Sequence, residues 1–503
     1  MSVLVETQYG TLEGIQNEGL QVFKGIPYAQ PPVGKLRFCA PLRPAGWEGV
    51  REAKEFSASA IQGTSPVPGV AAEGPLSEDC LYLNVYTPRA DDARRPVMFW
   101  IHGGGFTLGS AALPLYNGGF LAERGDVVVV TINYRLGALG YLFLGSHGGR
   151  DWGASANCGQ LDQIAALEWA HDNIAFFGGD PNNVTIFGES AGAVAVVTLM
   201  AIPQAKGLFH KVIAQSGAAD GVQTPEQAAG LTKAFLADLG VDPENTQKLQ
   251  EVSAEDILKA QPGEAIDWTK PAQARARLFP VVDGETLPRH PREAVKEGEA
   301  KGIPLMAGTN RDEMKLFKDH KNVKPISDEE LEQIAQTLRP PGALASAADM
   351  VAVYKRSRAA HRLPIDNVDI CDAMVSDVRF RIPCTRLAEA HGDAYLYLFT
   401  WESPAMRGAL GACHALELPF VFGTLHHPMQ ERFAGTGPEA VRLSDQMMDA
   451  WIAFASSGNP NHEGLGSWEP YDTSQRASML FGKESACTDA PLDEERAAWD
   501  LDK

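Results

Sequence analysis

Gly188-Glu189-Ser190-Ala191-Gly192 is the segment whose residue types and order are best suited to chemistry. It follows the apolar run Val184-Thr185-Ile186-Phe187 and precedes a small-residue stretch over 191–203. That order predicts strand, tight turn and helix, the setting of a nucleophile elbow. A serine hydroxyl is a weak nucleophile, and the elbow holds its oxygen where a base can reach it. The flanking glycines are needed because side chains would collide in so sharp a turn. The helix that follows presents backbone N–H groups to an anion.

A second segment supports the first. The apolar run Val97-Met98-Phe99-Trp100-Ile101 leads into His102-Gly103-Gly104-Gly105-Phe106. Acyl transfer passes through a tetrahedral oxyanion, which needs preplaced N–H donors. A glycine loop after an earlier strand, with the N–H of the residue after the serine, supplies them. Such a nucleophile also needs an imidazole base and a carboxylate to orient it, in the chain order Ser, acid, His. Spacing does not choose among 12 histidines and 64 acidic residues. Asp312, Glu313, His391, His414, His426 and His427 all stay open on that criterion.

These residues need a frame to hold them. Val127-Val128-Val129-Val130-Thr131-Ile132-Asn133 is a continuous β-branched run, as expected of a strand buried on both faces. Ile164, Ala165 and Trp169 share one helical face after Leu161. Further strands are expected at 184–187, 211–215, 303–307 and 394–400. The alternation predicts an α/β fold with a mostly parallel central sheet flanked by helices. Residues 224–276 and 327–390 read as helical insertions, the second broken at Pro340-Pro341-Gly342. Such insertions are expected over the C-terminal strand edge, where ligands bind. No Pro- or Ser-rich linker divides the chain, so 1–503 reads as one domain.

Composition narrows the function. The chain has 503 residues, 44% hydrophobic and 21% charged, with a net charge of −20. That charge disfavours nucleic acid and anionic membranes as partners. The N-terminus lacks the pattern of a secretory signal, and no apolar run reaches spanning length. The seven cysteines show no C-x-x-C spacing, so reduced thiols and a cytoplasmic location are expected. No H-E-x-x-H motif, His/Cys cluster of metal-ligand spacing or phosphate loop occurs, so no metal or other cofactor is expected. No sustained heptad pattern is present, and a monomer is favoured.

Taken together, the motifs resemble the type-B carboxylesterase family, cholinesterase-like members of the α/β-hydrolase fold. The likeness runs from Val22-Phe23-Lys24-Gly25-Ile26-Pro27-Tyr28-Ala29 through Ser77-Glu78-Asp79-Cys80-Leu81 and the glycine loop. It continues through Asn133-Tyr134-Arg135-Leu136-Gly137 and Phe177-Gly178-Gly179-Asp180-Pro181. Its later markers are Gly308-Thr309-Asn310-Arg311-Asp312-Glu313 and His414-Ala415-Leu416-Glu417-Leu418-Pro419-Phe420. The resemblance implies a catalytic triad of Ser190, Glu313 and His414, with Asp312 the runner-up acid. It implies oxyanion donors at Gly104, Gly105 and Ala191. Glu189 is implied beside the nucleophile, where it places negative charge or serves as a structural carboxylate. Ser216 is implied near the acid or as a strand-end hydroxyl, and Arg37–Glu78 as a structural ion pair. Phe106, Leu316 and Phe317 are candidates to line the substrate pocket, or to pack the core.

Three departures from the family pattern stand out. Met314 replaces the usual glycine after the acid. No cysteine lies at 57–63, where relatives pair the equivalent of Cys80, and Ile61 stands there instead, so Cys80 is expected to be a free buried thiol. Residues 61–76 contain no Trp, which argues against choline esters, since relatives hold the quaternary ammonium on that ring. The activity implied is hydrolysis of short to medium acyl or aromatic esters through an acyl-enzyme. Amide or carbamate hydrolysis by the same triad is the alternative. A non-catalytic binding module is disfavoured, because such relatives typically lack the nucleophile.

Overall fold

The β-branched run forms a strand over Val128–Ile132 with every residue buried. Asn133, expected at its end, instead leaves the ladder and bonds the loops around the glycine run: its Oδ1 accepts from Ala111 N at 2.8 Å. In the computed structural model, residues 1–501 are described apart from 18, 66, 68, 146–151, 262–268 and 270–276. Among the described residues the strands are β1 (Ser2–Thr7), β2 (Gly10–Asn17), β3 (Leu20–Pro27), β4 (Val50–Glu52), β5 (Ser59–Ala60), β6 (Leu76–Ser77), β7 (Tyr82–Thr87) and β8 (Arg95–Ile101). They continue as β9 (Val128–Ile132), β10 (Gly179–Glu189), β11 (Lys211–Gln215), β12 (Leu305–Asn310), β13 (Ala394–Phe399), β14 (Ser478–Phe481) and β15 (Ala486–Thr488).

One sheet runs β1-β2-β3-β7-β9-β8-β10-β11-β12-β13-β14-β15, with β4 beside β2, while β5 and β6 pair separately. From β9 to β14 every neighbour is parallel. Antiparallel strands finish both edges. The expected central sheet is therefore present, and all six anticipated strands lie within it. The antiparallel N-terminal strands did not stand out in the sequence. β1 and β2 mix buried and half-exposed positions, so their alternation is diluted by Glu, Gln and Gly.

Helices cover both faces. Cys158–Asn173 buries Ile164 and Trp169 against the sheet. The helix after the elbow spans Ala191–Leu199, shorter than the apolar stretch, and Pro203–Ala205 forms a separate 3-10 turn. The first insertion contains Pro225–Asp238, opened by a capping box of Thr224 and Gln227, and Ala254–Ala260. Most of its last part lies outside the described residues. The second contains Asp328–Leu338 and Ala347–Ala360 on either side of the Pro-Pro-Gly break. Asn367–Ser376 then meets Ile382–His391 through a π-helical turn at Asp377–Arg381. The 20-residue helix Pro438–Ser457, not anticipated, buries Leu443, Met447, Trp451 and Phe454 at helical spacing.

Two pairs tie these parts together. Arg37 donates to Glu78 through Nε and Nη2, and through Nη1 to the carbonyls of Leu249 and Val252 at 2.7 Å. The expected ion pair thus fastens the N-terminal segment to the first insertion. Arg135 and Asp162 form a fully buried bidentate pair at 2.7 and 2.8 Å. Cys80 is a buried free thiol, as expected without a partner near Ile61. Burial pushes that thiol up.

Candidate active site

Four parallel strands deliver the candidate residues to one sheet edge, the C-terminal ends where loops diverge. β8 ends at the glycine loop, β10 at Ser190, and β12 just before Glu313. His414 follows β13 on a longer loop.

Ser190 has φ 57° and ψ −122° and directly precedes the helix Ala191–Leu199. That is a strained conformation for a side-chain-bearing residue, held by its surroundings. Its N–H donates to Gln215 O at 2.8 Å, and Val194 N donates to its carbonyl at 3.0 Å. A β-carbon on Gly192 would collide with the Ile101 carbonyl oxygen, and one on Gly188 would lie 2.5 Å from Gly192 C. The elbow therefore closes only with glycine at these positions. Ser190 remains partly exposed, unlike its neighbours.

The glycine loop is aimed by its own carbonyls. Gly103 O meets His102 Nδ1 at 2.8 Å, and Gly104 O accepts from Thr107 N and Leu108 N at 3.1 and 2.9 Å. In a trans peptide the N–H points opposite to the C=O. The N–H groups of Gly104 and Gly105 are thus turned away from those partners. Among the described residues, neither they nor the Ala191 N–H has a backbone acceptor. Positive φ at Gly104 (103°) and Gly105 (63°) makes this course possible. Tyr134 stacks on His102 at 4.6 Å and donates to its carbonyl at 2.8 Å. Burial pushes His102 down to about 4, against the opposing bond to Gly103 O, so it is a neutral prop at working pH.

His414 is buried between two carboxylates. Its Nδ1 lies 2.6 Å from Glu313 Oε2, and Nε2 lies 2.9 Å from Glu189 Oε1. The second approach is an ion-pair contact rather than an aligned hydrogen bond. Burial alone would weaken the imidazole's hold on its proton. Glu189 and Glu313 outweigh it and keep His414 well above the ordinary imidazole range. Glu313 is itself held by Asn310 N, which donates to Oε1 at 2.7 Å. Asp312 faces elsewhere: it accepts from Arg311 and from Ala412 N, and Arg311 draws its pKa down despite burial. His391 bonds Ile303 O, and His426 packs on Phe120.

Behind Glu313 lies a buried group absent from the sequence-based candidates. Glu417 accepts from Asn310 Nδ2 at 2.6 Å and Gln215 Nε2 at 3.1 Å, and Trp451 Nε1 donates to Gln215 Oε1 at 3.0 Å. Burial, with Glu189 and Glu313 nearby, pushes Glu417 up to about 8. The shift favours its neutral form, which eases the crowding of buried carboxylates at the site. Its position three residues after His414 was the available signal.

The other expected residues divide. Phe317 is 39% exposed, with its ring 5.1 Å from His414. Phe380, on the π-helical turn, stands 4.9 Å from the same ring and was not anticipated. Phe106 has no exposed surface and packs on Tyr141 and Phe279. Leu316 is partly buried against the hydrophobic cluster that includes Leu416 and Phe420. Ser216, at φ 51°, donates its N–H to Gly308 O, while its buried Oγ has no hydrogen bond among the described residues. Met314 donates its N–H to Ser376 Oγ and packs into the second insertion. Among the described residues no helix is long and apolar enough to cross a membrane.

Comparison with known proteins agrees in extent and shape. The carboxylesterase family model matches residues 1–499. The para-nitrobenzyl esterase of Bacillus subtilis is 41% identical, with 98% of this chain and 97% of that protein covered. The phenmedipham hydrolase of Pseudarthrobacter oxydans is 36% identical, with 96% of each chain covered. The crystal structure of the Geobacillus stearothermophilus carboxylesterase EST55 superposes with a TM-score of 0.86 at 40% identity. That match covers 99% of this chain and 100% of the other.

Proposed function

This chain belongs to the carboxylesterase family, and from that premise we propose that Ser190, His414 and Glu313 carry out its ester hydrolysis. The fold is the α/β-hydrolase fold and the reaction is that of a carboxylic ester hydrolase. The observation that carries the assignment of residues is the 2.6 Å bond between His414 Nδ1 and Glu313 Oε2, on the same sheet edge as the strained Ser190.

His414 takes the Ser190 proton as the hydroxyl oxygen attacks the ester carbonyl. The carbonyl oxygen, now an oxyanion, receives the N–H groups of Gly104, Gly105 and Ala191. His414 then protonates the leaving alcohol. The same imidazole activates water to cleave the acyl-enzyme, regenerating Ser190. Glu313 fixes the tautomer with the free nitrogen toward the serine. Before substrate enters, that nitrogen rests against Glu189, and displacement of this contact is the first step of activation.

Substrates are read as short to medium acyl or aromatic esters, with Phe317 and Phe380 beside His414 facing the alcohol part. The whole chain is read as one catalytic domain. A cytoplasmic monomer is the accompanying reading; the lack of a disulfide among the described residues supports the compartment. A p-nitrophenyl ester series from acetate to laurate on wild type and Ser190→Ala tests the assignment. The variant should lose about three decades or more of rate; full activity would refute the nucleophile.

A further inference from the structure

The segment that follows Glu313 is fastened along one face of the helix Asn367–Ser376. Asp369, Asp372 and Ser376 are spaced by three and then four residues, so they line that face together. Ser376 Oγ accepts from Met314 N at 3.1 Å and donates to Asp372 O at 2.7 Å. Asp369 Oδ1 lies 2.8 Å from Lys315 Nζ, and Asp372 Oδ2 accepts from Lys318 Nζ at 2.7 Å. His320 Nε2 donates to Lys315 O at 2.7 Å and closes the far end of the segment. The side chains of the two ion pairs are only 12–21% exposed, so solvent screens them less than it would a surface pair.

The two pairs bracket Phe317. Lys315 precedes it, Lys318 follows it, and both are drawn to the same helix. Residues Glu313–Phe317 form a single 3-10 segment, which holds little shape by itself. The anchors therefore decide where the Phe317 ring stands, 5.1 Å from His414. Glu313 is held from the other side, by Asn310 N at 2.7 Å, so the anchors bear on the ring and not on the acid. The helix also runs on into the π-helical turn that brings Phe380 to 4.9 Å from His414. One helix thus places both rings beside the imidazole.

We infer that Asp369 and Asp372 are positioning residues for substrate selection: through Lys315 and Lys318 they hold Phe317 beside His414, where its ring favours esters of aromatic alcohols over esters of small alkyl alcohols. The inference rests on the reading above, in which His414 protonates the leaving alcohol, so that a ring beside His414 meets the alcohol part. Phe317 is 39% exposed and so is accessible to a bound molecule. Two aromatic rings in contact gain more than their buried area alone provides. The two carboxylates touch neither substrate nor the reacting atoms.

The test uses two esters of one acid, benzyl butyrate and methyl butyrate, which give the same acyl-enzyme. Methyl butyrate turnover by wild type and Ser190→Ala tests the catalytic reading by itself. The ratio of kcat/KM for the benzyl over the methyl ester reads the selection. Phe317→Ala should lower this ratio. Asp369→Asn with Asp372→Asn should lower it about threefold or more, mainly through KM for the benzyl ester. The same pair of changes should leave kcat for methyl butyrate within about threefold of wild type. Added to Phe317→Ala, the pair should lower the ratio no further, because changes that act through one ring do not add. An unchanged ratio in Phe317→Ala or in the Asp pair would overturn the inference. So would an equal fall for both esters, which would make the two carboxylates supports of the fold alone, or a further fall in the Phe317→Ala background.

Discussion

His414 Nε2 lies 2.9 Å from Glu189 Oε1, on the side of the ring opposite Glu313. The proposed base is thus flanked by two carboxylates at rest, and it holds its proton well above the ordinary imidazole range. A general base works only unprotonated. Activity must therefore rise with pH through the raised value of His414, so the acidic limb of kcat/KM should sit above that of a free imidazole. Glu189→Gln removes one of the charges favouring the imidazolium. The limb should move to lower pH, with relative activity gained on the acid side. A pH–rate profile of the variant that overlays wild type would contradict this electrostatic account.

Glu313→Gln preserves shape but not charge. The amide can present its N–H to Nδ1 and stabilise the wrong tautomer. A loss of kcat of about 10⁴-fold is expected, in line with the equivalent change in other Ser-His-acid enzymes. Circular dichroism and steady-state kinetics on the same preparation would separate this from misfolding. A loss below tenfold would shift the role of acid to another carboxylate.

His102 is placed to aim a proposed oxyanion donor. Its Nδ1 meets Gly103 O, which turns the Gly104 N–H away from that bond. His102→Phe keeps the stacking on Tyr134 and removes that bond. It should lower kcat by about tenfold to a hundredfold, less than outright removal of an oxyanion donor, with KM little changed. A change confined to KM would argue against this positioning role.

The buried pair Arg135–Asp162 should govern stability rather than rate. Asp162→Asn leaves the guanidinium buried without its counter-charge, a loss of about 3–5 kcal/mol. Burial raises the Asp162 carboxyl despite Arg135, and burial opposes Arg135 as well. The intact pair is accordingly a poor source of net stability, but half of it is worse than none. Urea unfolding of the variant at pH 7 measures this; a midpoint equal to wild type would show that water reaches the site.

Thiol chemistry checks burial directly. Cys39 and Cys487 are half-buried, and the other five cysteines are buried. A disulfide-exchange reagent should label those two first and the rest only on unfolding. Fast labelling of Cys80 would mean that the segment around Ile61 opens in solution.

Much of the site is written in local order. Ser190 and the glycine loop combine residue type with a preceding apolar strand, so a short stretch reveals both. The parallel strands are equally plain, because burial on both faces demands runs such as 128–132. Glu313 and His414 were different. Nothing near them in sequence distinguishes them from Asp312 or His391, and the resemblance to a family had to choose. What joins them is a contact between residues 101 positions apart. Glu417 and Phe380 stayed hidden for a related reason. Each matters through the element packed against it, and one of those elements is a π-helical turn that no hydrophobic period announces. The edge strands β1 and β2 were missed because half-exposed strands tolerate polar residues on both faces.

The π-helical turn at Asp377–Arg381 fixes the phase between the helices on either side. Such a turn takes up one residue more than an α-helical turn, so it carries Phe380 to His414 while the helices on either side keep their phase. Loss of one residue here would restore an ordinary helix and take Phe380 away from His414. A single codon lost from this stretch of the gene would thus reshape the surroundings of His414, where point substitutions change only the ring.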